Sequence, residues 1–188
     1  MSVEVYLARH GETEWSLSGR HTGKTDLPLT PHGEEKAARL RGPLEKIHFD
    51  VVFSSPLQRA RRTAELAGFP HPRLTELLRE VDYGEYEGLT TKEIRESRPG
   101  WELYKDGSPG GETPAEIYSR AVHFIELASA AGGRVLAFSH GHFLRAVAIA
   151  WMRLDVQGAS TLDLDVATLS LLRDDERGRL LAMWNCRP

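Results

Sequence analysis

The sequence predicts an α/β fold of three layers, with a mainly parallel central sheet and helices on both faces. Short β-rich runs alternate with helical stretches, the early runs end in glycine, proline or serine turns, and a cap-then-proline pair opens two of the helices. Residues 3–8 read as the first strand, which ends directly at Arg9-His10-Gly11. A loop rich in Ser, Gly and Thr covers 12–29. Thr30-Pro31 then opens a helix to about residue 46, with Thr30 as N-cap and the proline where its missing N–H is not needed. Residues 50–54 form the second strand. Pro56 begins a helix through 67, whose Leu57, Ala60, Ala64 and Ala67 fall three or four apart on one face.

The stretch 77–89 is loop-like, interrupted by Gly84 and Gly88. Residues 91–97 form a short helix, and the glycine-rich run 106–111 reads as a mobile loop. Thr113-Pro114 repeats the cap signature with Glu116 in the third helical position, which opens a helix to about residue 131. Residues 134–139 are the third strand, ending at His140-Gly141, and a helix follows over 143–152. Apolar residues alternate at Leu162, Leu164 and Val166, at Leu169 and Leu171, and over 180–184. This pattern predicts a final antiparallel pair about the turn 174–178.

With 188 residues, 40% of them hydrophobic and 27% charged, the chain is expected to be a single domain over 1–188 with a sizeable core. A formal net charge of −3 gives no general basic field, so nucleic acid is not an expected partner and an anionic ligand must be met by a local cluster. No basic leader precedes the first strand, and no apolar run is long enough to span a bilayer, so no membrane partner is expected. The single cysteine, Cys186, excludes an internal disulfide and every cysteine-based zinc pattern, which fits a reducing cytoplasm. No metal or other cofactor is implied, and nothing in the pattern fixes an oligomeric state.

Open α/β sheets bind ligands beyond the carboxyl ends of their strands. Arg9-His10 and Ser139-His140 both sit at such ends, and Arg59 follows another. Two imidazoles and two guanidiniums would meet at one sheet edge, forming an anion site in which arginine supplies forked donors to phosphate oxygens. Taken singly, each is as easily read as a loop residue.

The spacing carries more. Leu7-Ala8-Arg9-His10-Gly11-Glu12-Thr13-Glu14-Trp15 resembles the opening motif of the histidine phosphatase superfamily, the phosphoglycerate mutase-like proteins. Thr22-Gly23 with residues 25–33, Ser54-Ser55-Pro56-Leu57-Gln58-Arg59-Ala60, residues 78–88 and Phe138-Ser139-His140-Gly141 are similar to its later blocks, in the same order. The resemblance implies a phosphoglycerate mutase-like fold and a metal-independent phosphatase acting on a small-molecule phosphate ester. It implies His10 as nucleophile, Arg9, Arg59 and His140 around the phosphoryl group, and Glu80 as proton donor, which must hold and then release a proton. Arginine donors would take the role of magnesium in other phosphoryl-transfer sites.

By the same resemblance Glu12 orients an imidazole, Thr22 and Gly23 offer donors to substrate, and Tyr83 and Gly141 lie at the site. Ser16 stands where many members have asparagine, leaving a shorter hydroxyl. The run 15–23 and His142 resemble the branch that includes fungal sedoheptulose bisphosphatase and mycobacterial acid phosphatases, with His142 a pocket residue or a solvent-exposed helix start. A cofactor-dependent mutase shares the chemistry but carries a longer insert between the acidic block and the second His-Gly. The span from Gly88 to Ser139 is short and poor in basic residues, which favours phosphatase over mutase. An inactive phosphoester-binding protein is the reading from another class. Trp101, Tyr104 and the loop near Gly110 are expected either to cover the site or to pack.

Overall fold

The computed structural model describes residues 3–188. Six strands, β1 (Val3–Arg9), β2 (Val51–Ser54), β3 (Arg73–Leu74), β4 (Gly133–Ser139), β5 (Leu169–Asp175) and β6 (Gly178–Cys186), form one sheet in the order β3-β2-β4-β1-β5-β6. The pairs β1/β4, β2/β4 and β2/β3 are parallel, whereas β5 and β6 add antiparallel strands beyond β1. The sheet is therefore mixed, with a parallel half that carries the two His-Gly pairs.

The helices are α1 (Glu14–Ser18), α2 (Pro31–Arg39), α3 (Arg41–Leu44), α4 (Gln58–Leu66), α5 (Thr91–Ser97), α6 (Leu103–Asp106), α7 (Pro114–Ala131) and α8 (Gly141–Trp151). Side chains alternate across a strand, so β1 and β4 feed two cores. Val5, Leu7, Val135 and Ala137 join Phe124 of α7 and Val147 of α8 on one face. Ala8, Leu136 and Phe138 join Leu40, Leu44 and Ala64 on the other. Helices thus cover both faces, as the near-continuous apolar strands require.

The predicted caps form. The Thr30 hydroxyl accepts from the Gly33 amide, and Thr113 and Glu116 make a reciprocal capping box. Where the structure differs, the causes are local. The helix expected over 31–46 breaks at Leu40 into α2 and α3, because Pro43 has no N–H to continue the ladder and its ring crowds the preceding turn. Part of the 12–29 loop folds as α1, where Thr13 and Ser16 form a second capping box. The alternation at 162, 164 and 166 is not a strand. It follows a 3-10 turn, Val156–Thr161, and serves to bury Leu164.

The run 106–111 is pinned. The Trp101 indole donates to the Gly107 carbonyl, the Glu85 amide to Pro109 and the Glu112 amide to Asp82. No helix among the described residues is long and apolar enough to cross a membrane.

Candidate active site

Parallel pairing in register sets Arg9 opposite Ser139, so His10 and His140 are the first residues past one common sheet edge. The His10 amide donates to the Ser139 carbonyl at 2.9 Å, and the two imidazole centroids stand 5.1 Å apart. His10 is 5% exposed, with Nδ1 2.6 Å from the Gly11 carbonyl. A carbonyl only accepts, so Nδ1 carries the proton and Nε2 keeps its lone pair. Burial, then the Arg59 and Arg9 charges, hold the His10 pKa well below its ordinary value. The ring is neutral at neutral pH, the state a nucleophile requires.

Arg59 and His140 are both 0% exposed. Arg59 Nε donates to His140 Nδ1 at 3.0 Å, which fixes the proton of that ring on Nε2, 2.8 Å from the Ser55 hydroxyl. Arg59 Nη1 and Nη2 donate to the carbonyls of Thr22, Gly23 and Thr25. From the other side, the Glu87 carboxylate accepts from the amides of Gly23 and Thr25. The loop 22–25 is thereby clamped between a guanidinium and a carboxylate. The resemblance implies that Arg59 and His140 face the phosphoryl group; here both lie packed beside His10, turned to protein partners.

A cavity of about 230 Å³ opens over His10. Arg9, His10, Ser16, Thr22, Glu80, Tyr83, Gly141 and His142 are among the residues that line it. Arg9 donates through Nη1 to the Leu164 carbonyl, and its Nε is buried without a partner. Gly141 is needed beneath it, since an added Cβ would stand 3.0 Å from the guanidinium carbon. The Glu80 carboxylate accepts from the amides of His142 and Phe143 in the first turn of α8, and from Val81. The Tyr83 hydroxyl is 2.5 Å from His142 Nδ1, and burial raises the phenol pKa and lowers that of the imidazole, so both are neutral.

Other expected contacts lie elsewhere. The Glu12 oxygens go to Thr30 and Lys36, tying the first loop to α2, and not to an imidazole. The Gly23 amide is held by Glu87. The Ser16 hydroxyl donates to the Thr13 carbonyl and that of Thr22 to Arg20, although both residues line the cavity. Trp101 and Tyr104 form a wall behind His21 and His142 and do not cover the opening. Sequence reasoning missed His21, Arg20, Thr91 and Arg145, which also line the cavity. For His21 and Arg20 a signal existed, because both fall inside the 15–23 run. Among the described residues no three His, Cys, Asp or Glu side chains converge as a metal-ligand set.

Residues 5–187 match the sequence profile of the histidine phosphatase superfamily, branch 1. The chain is 42% identical over 184 residues to an acid phosphatase of Mycobacterium tuberculosis, covering 95% of this chain and 90% of that protein. It is 36% identical to the sedoheptulose 1,7-bisphosphatase of Saccharomyces cerevisiae, with 84% and 70% covered. A 2,3-bisphosphoglycerate-dependent phosphoglycerate mutase of Cytophaga hutchinsonii is 32% identical, with 85% and 82% covered. The solved structure of the open reading frame Rv3214 of Mycobacterium tuberculosis superposes with a TM-score of 0.94 at 39% identity, covering 98% of this chain and 97% of that one.

Proposed function

The chain belongs to the histidine phosphatase superfamily, branch 1, and from that membership we propose a phosphomonoester hydrolase that works through a phosphohistidine on His10. Its substrates are small phosphorylated metabolites of the sugar phosphate or bisphosphate class. The observation that carries this reading is the state of His10: neutral, locked through Nδ1 on Gly11, and set in a cavity beside a guanidinium.

In the first step Nε2 attacks phosphorus, a P–N bond forms and the ester P–O bond breaks. Glu80 gives its proton to the leaving alkoxide. In the second step Glu80 takes a proton from water, the water oxygen bonds to phosphorus, and the P–N bond breaks to release inorganic phosphate. Arg9, across the N-terminus of α8, neutralises the equatorial oxygens. Arg59 and His140 act beside it, with Arg59 setting the tautomer of His140 and the loop 22–25. Glu12, Ser16, Thr22, Gly23, Tyr83 and His142 shape the pocket. The charge stabilisation comes from arginine, so turnover needs no metal. In this reading residues 1–188 form one domain and the cytoplasm is its compartment, with which a lone cysteine is consistent, as it is with any other.

Mutase activity is the second reading, favoured by the relative that is a phosphoglycerate mutase. Against it, none of the lysines and arginines between Gly88 and Ser139 lines the cavity over His10, and three of them are engaged elsewhere: Arg98 with Asp106, Arg120 with Glu112 and Arg134 with Glu4. Incubation with 2,3-bisphosphoglycerate and a monophosphoglycerate tests the choice. Release of inorganic phosphate faster than interconversion is expected. Rapid interconversion with little phosphate assigns a mutase, and neither activity, on any ester screened, assigns an inactive binder. Undiminished turnover after exhaustive chelation is the companion expectation; activity restored only by added metal overturns it.

A further inference from the structure

We propose that Arg120 is a positioning residue for proton transfer: from outside the cavity it fixes the loop that presents the Glu80 carboxyl to the leaving oxygen. The assignment rests on the phosphatase reading above, in which Glu80 is the proton donor, and adds the residue that places it.

Glu80 sits on a segment that secondary structure does not hold. A 3-10 turn ends at Leu78, and residues 79–83 belong to no helix or strand. Carbonyls on such a segment need other partners once the fold closes around them. Arg120 supplies them. It lies at the end of the second turn of α7, and a long helical side chain leans toward the N-terminus of its helix, here toward Glu112 and the loop 77–82. Nη1 donates to the Leu77 carbonyl at 3.0 Å and to that of Arg79 at 2.7 Å, and Nη2 reaches the Glu80 carbonyl at 3.4 Å. Nε and Nη2 donate to the two Glu112 oxygens, each at 2.8 Å. One of those oxygens accepts in turn from the Asp82 amide at 2.8 Å. The guanidinium fork and its carboxylate thus hold the chain on both sides of Glu80.

A second contact reaches the carboxyl itself. The Arg120 guanidinium carbon stands 4.0 Å from the centroid of the buried Phe143 ring. The Phe143 amide donates to Glu80 Oε1 at 2.8 Å. Arg120 therefore fixes the main chain of Glu80 through the loop carbonyls, and its carboxyl through the residue that carries the donor. The Arg120–Glu112 pair is sheltered, with side chains 17% and 19% exposed, unlike the solvated pairs that contribute little. Arg120 does not line the cavity, so its effect on turnover passes through what it holds. A proton donor works only within hydrogen-bond reach of the leaving oxygen, and misplacement by about 1 Å can cost on the order of 10²-fold.

The measure is the ratio of kcat/KM for fructose 1,6-bisphosphate, an alkyl ester that needs the acid, to that for nitrophenyl phosphate, which needs it little. A merely structural role slows both esters alike and leaves the ratio unmoved. Arg120→Met is expected to lower the ratio by about 10- to 100-fold. Arg120→Lys keeps a charge against Glu112 and over Phe143 but loses the fork. It should lower the ratio less, and it serves where the methionine variant fails to fold. In the Glu80→Gln background either substitution should leave the ratio unchanged, because the group it positions is gone. Equal losses for both esters in the single variants, or the same fall in the ratio with Glu80 already replaced, overturn the assignment.

No hydrolysis of the fructose ester, or a Glu80→Gln ratio equal to that of the wild type, sinks the phosphatase reading or its proton donor instead. Amide exchange then decides on Arg120 alone. His142 and Phe143 donate to the Glu80 oxygens, so their exchange should quicken in Arg120→Lys while that of Val147, in the middle of α8, keeps the wild-type rate. Unchanged exchange at His142 and Phe143 overturns the assignment.

Discussion

His10 Nδ1 lies 2.6 Å from the carbonyl oxygen of the next residue, Gly11, and this one contact decides which nitrogen of the ring does chemistry. With Nδ1 committed as a donor, only Nε2 offers a lone pair. Phosphate trapped by alkaline quenching is therefore expected on Nε2, read by phosphorus–proton correlation in the denatured phosphoenzyme. His10→Ala is expected to abolish turnover and keep the fold. Phosphate on Nδ1, on another residue type, or full activity in the variant would refute the assignment.

Arg59 joins the site to its loop, and lysine cannot reproduce that. A guanidinium reaches His140 and three carbonyls at once, whereas an ammonium is a single point donor. Arg59→Lys should lower kcat/KM by roughly 10²-fold, the scale of one lost preorganised donor. It should also speed amide exchange at Gly23 and Thr25, because only the Glu87 side of the clamp remains. Loss of activity with unchanged exchange would mean that Arg59 acts on the phosphoryl group alone.

Acid should unfold this protein through its buried imidazoles. His21 is held at about 4 by burial and by Arg145, and burial first, then neighbouring charges, depresses His10, His140 and His142. Their folded pKa values lie below the unfolded value near 6.5, so the unfolded chain binds more protons as pH falls through that value. The stability these groups contribute is full above about pH 6.5 and is lost as pH falls toward the folded values. The share of His21 amounts to roughly 3 kcal/mol between pH 6.5 and below 4. His21→Phe removes the titration and keeps the stacking, so its denaturation free energy should fall less steeply over that window. Parallel slopes for variant and wild type would defeat this account.

Much of this was legible in the sequence because it is local. Thr30-Pro31 and Thr113-Pro114 fix helix starts within four residues of chain, and the strands ending at Arg9 and Ser139 place His10 and His140 together once parallel pairing is granted. The motif spacing named Arg59 and Glu80 but not the atoms they meet, since Thr22, Thr25, His142 and Phe143 approach only when distant segments fold. Arg145 was silent for the same reason: its cavity needs the turn at Leu162, which is far along the chain. The alternation at 162–166 misled because Leu164, buried in the core between half-buried Leu162 and Val166, gives the two-residue period of a strand without strand pairing.

Gly84 should be irreplaceable on packing grounds. Its φ is +50°, and an added Cβ would stand 2.1 Å from the Pro109 carbonyl oxygen and 2.4 Å from the Gly111 amide. Gly84→Ala must separate the pinned loop from Asp82 and Tyr83, at a cost of roughly 2–4 kcal/mol in chemical denaturation. Gly110→Ala isolates the backbone contribution, because its φ is +67° but nothing lies within 4 Å of its Cβ position. That variant should lose only about 1 kcal/mol. Equal losses in the two would show that the left-handed backbone, and not the close approach, sets the cost.

Glu80 holds the N-terminus of α8 as well as the proposed proton, so its variant must be read through a ratio. In Glu80→Gln one amide group would turn an N–H toward the His142 or Phe143 amide, donor against donor, and the fold should lose about 1–3 kcal/mol. Any resulting displacement of Arg9 or His10 slows every ester alike. Proton donation does not act alike on every ester. An alkyl phosphate expels a poor alkoxide and needs the acid, whereas nitrophenyl phosphate leaves as a stabilised anion and needs it little. Turnover number mixes in the second step, where Glu80 serves as base for both esters, so kcat/KM is the measure, since it reports only events through formation of the phosphoenzyme. General acid catalysis contributes about 10²- to 10⁴-fold, so kcat/KM for a sugar phosphate should fall within roughly that range and for the aryl ester by much less. Equal losses for the two would leave Glu80 as the residue that positions the first turn of α8, and the proton would have to come from elsewhere, with Glu85→Gln the next variant to compare.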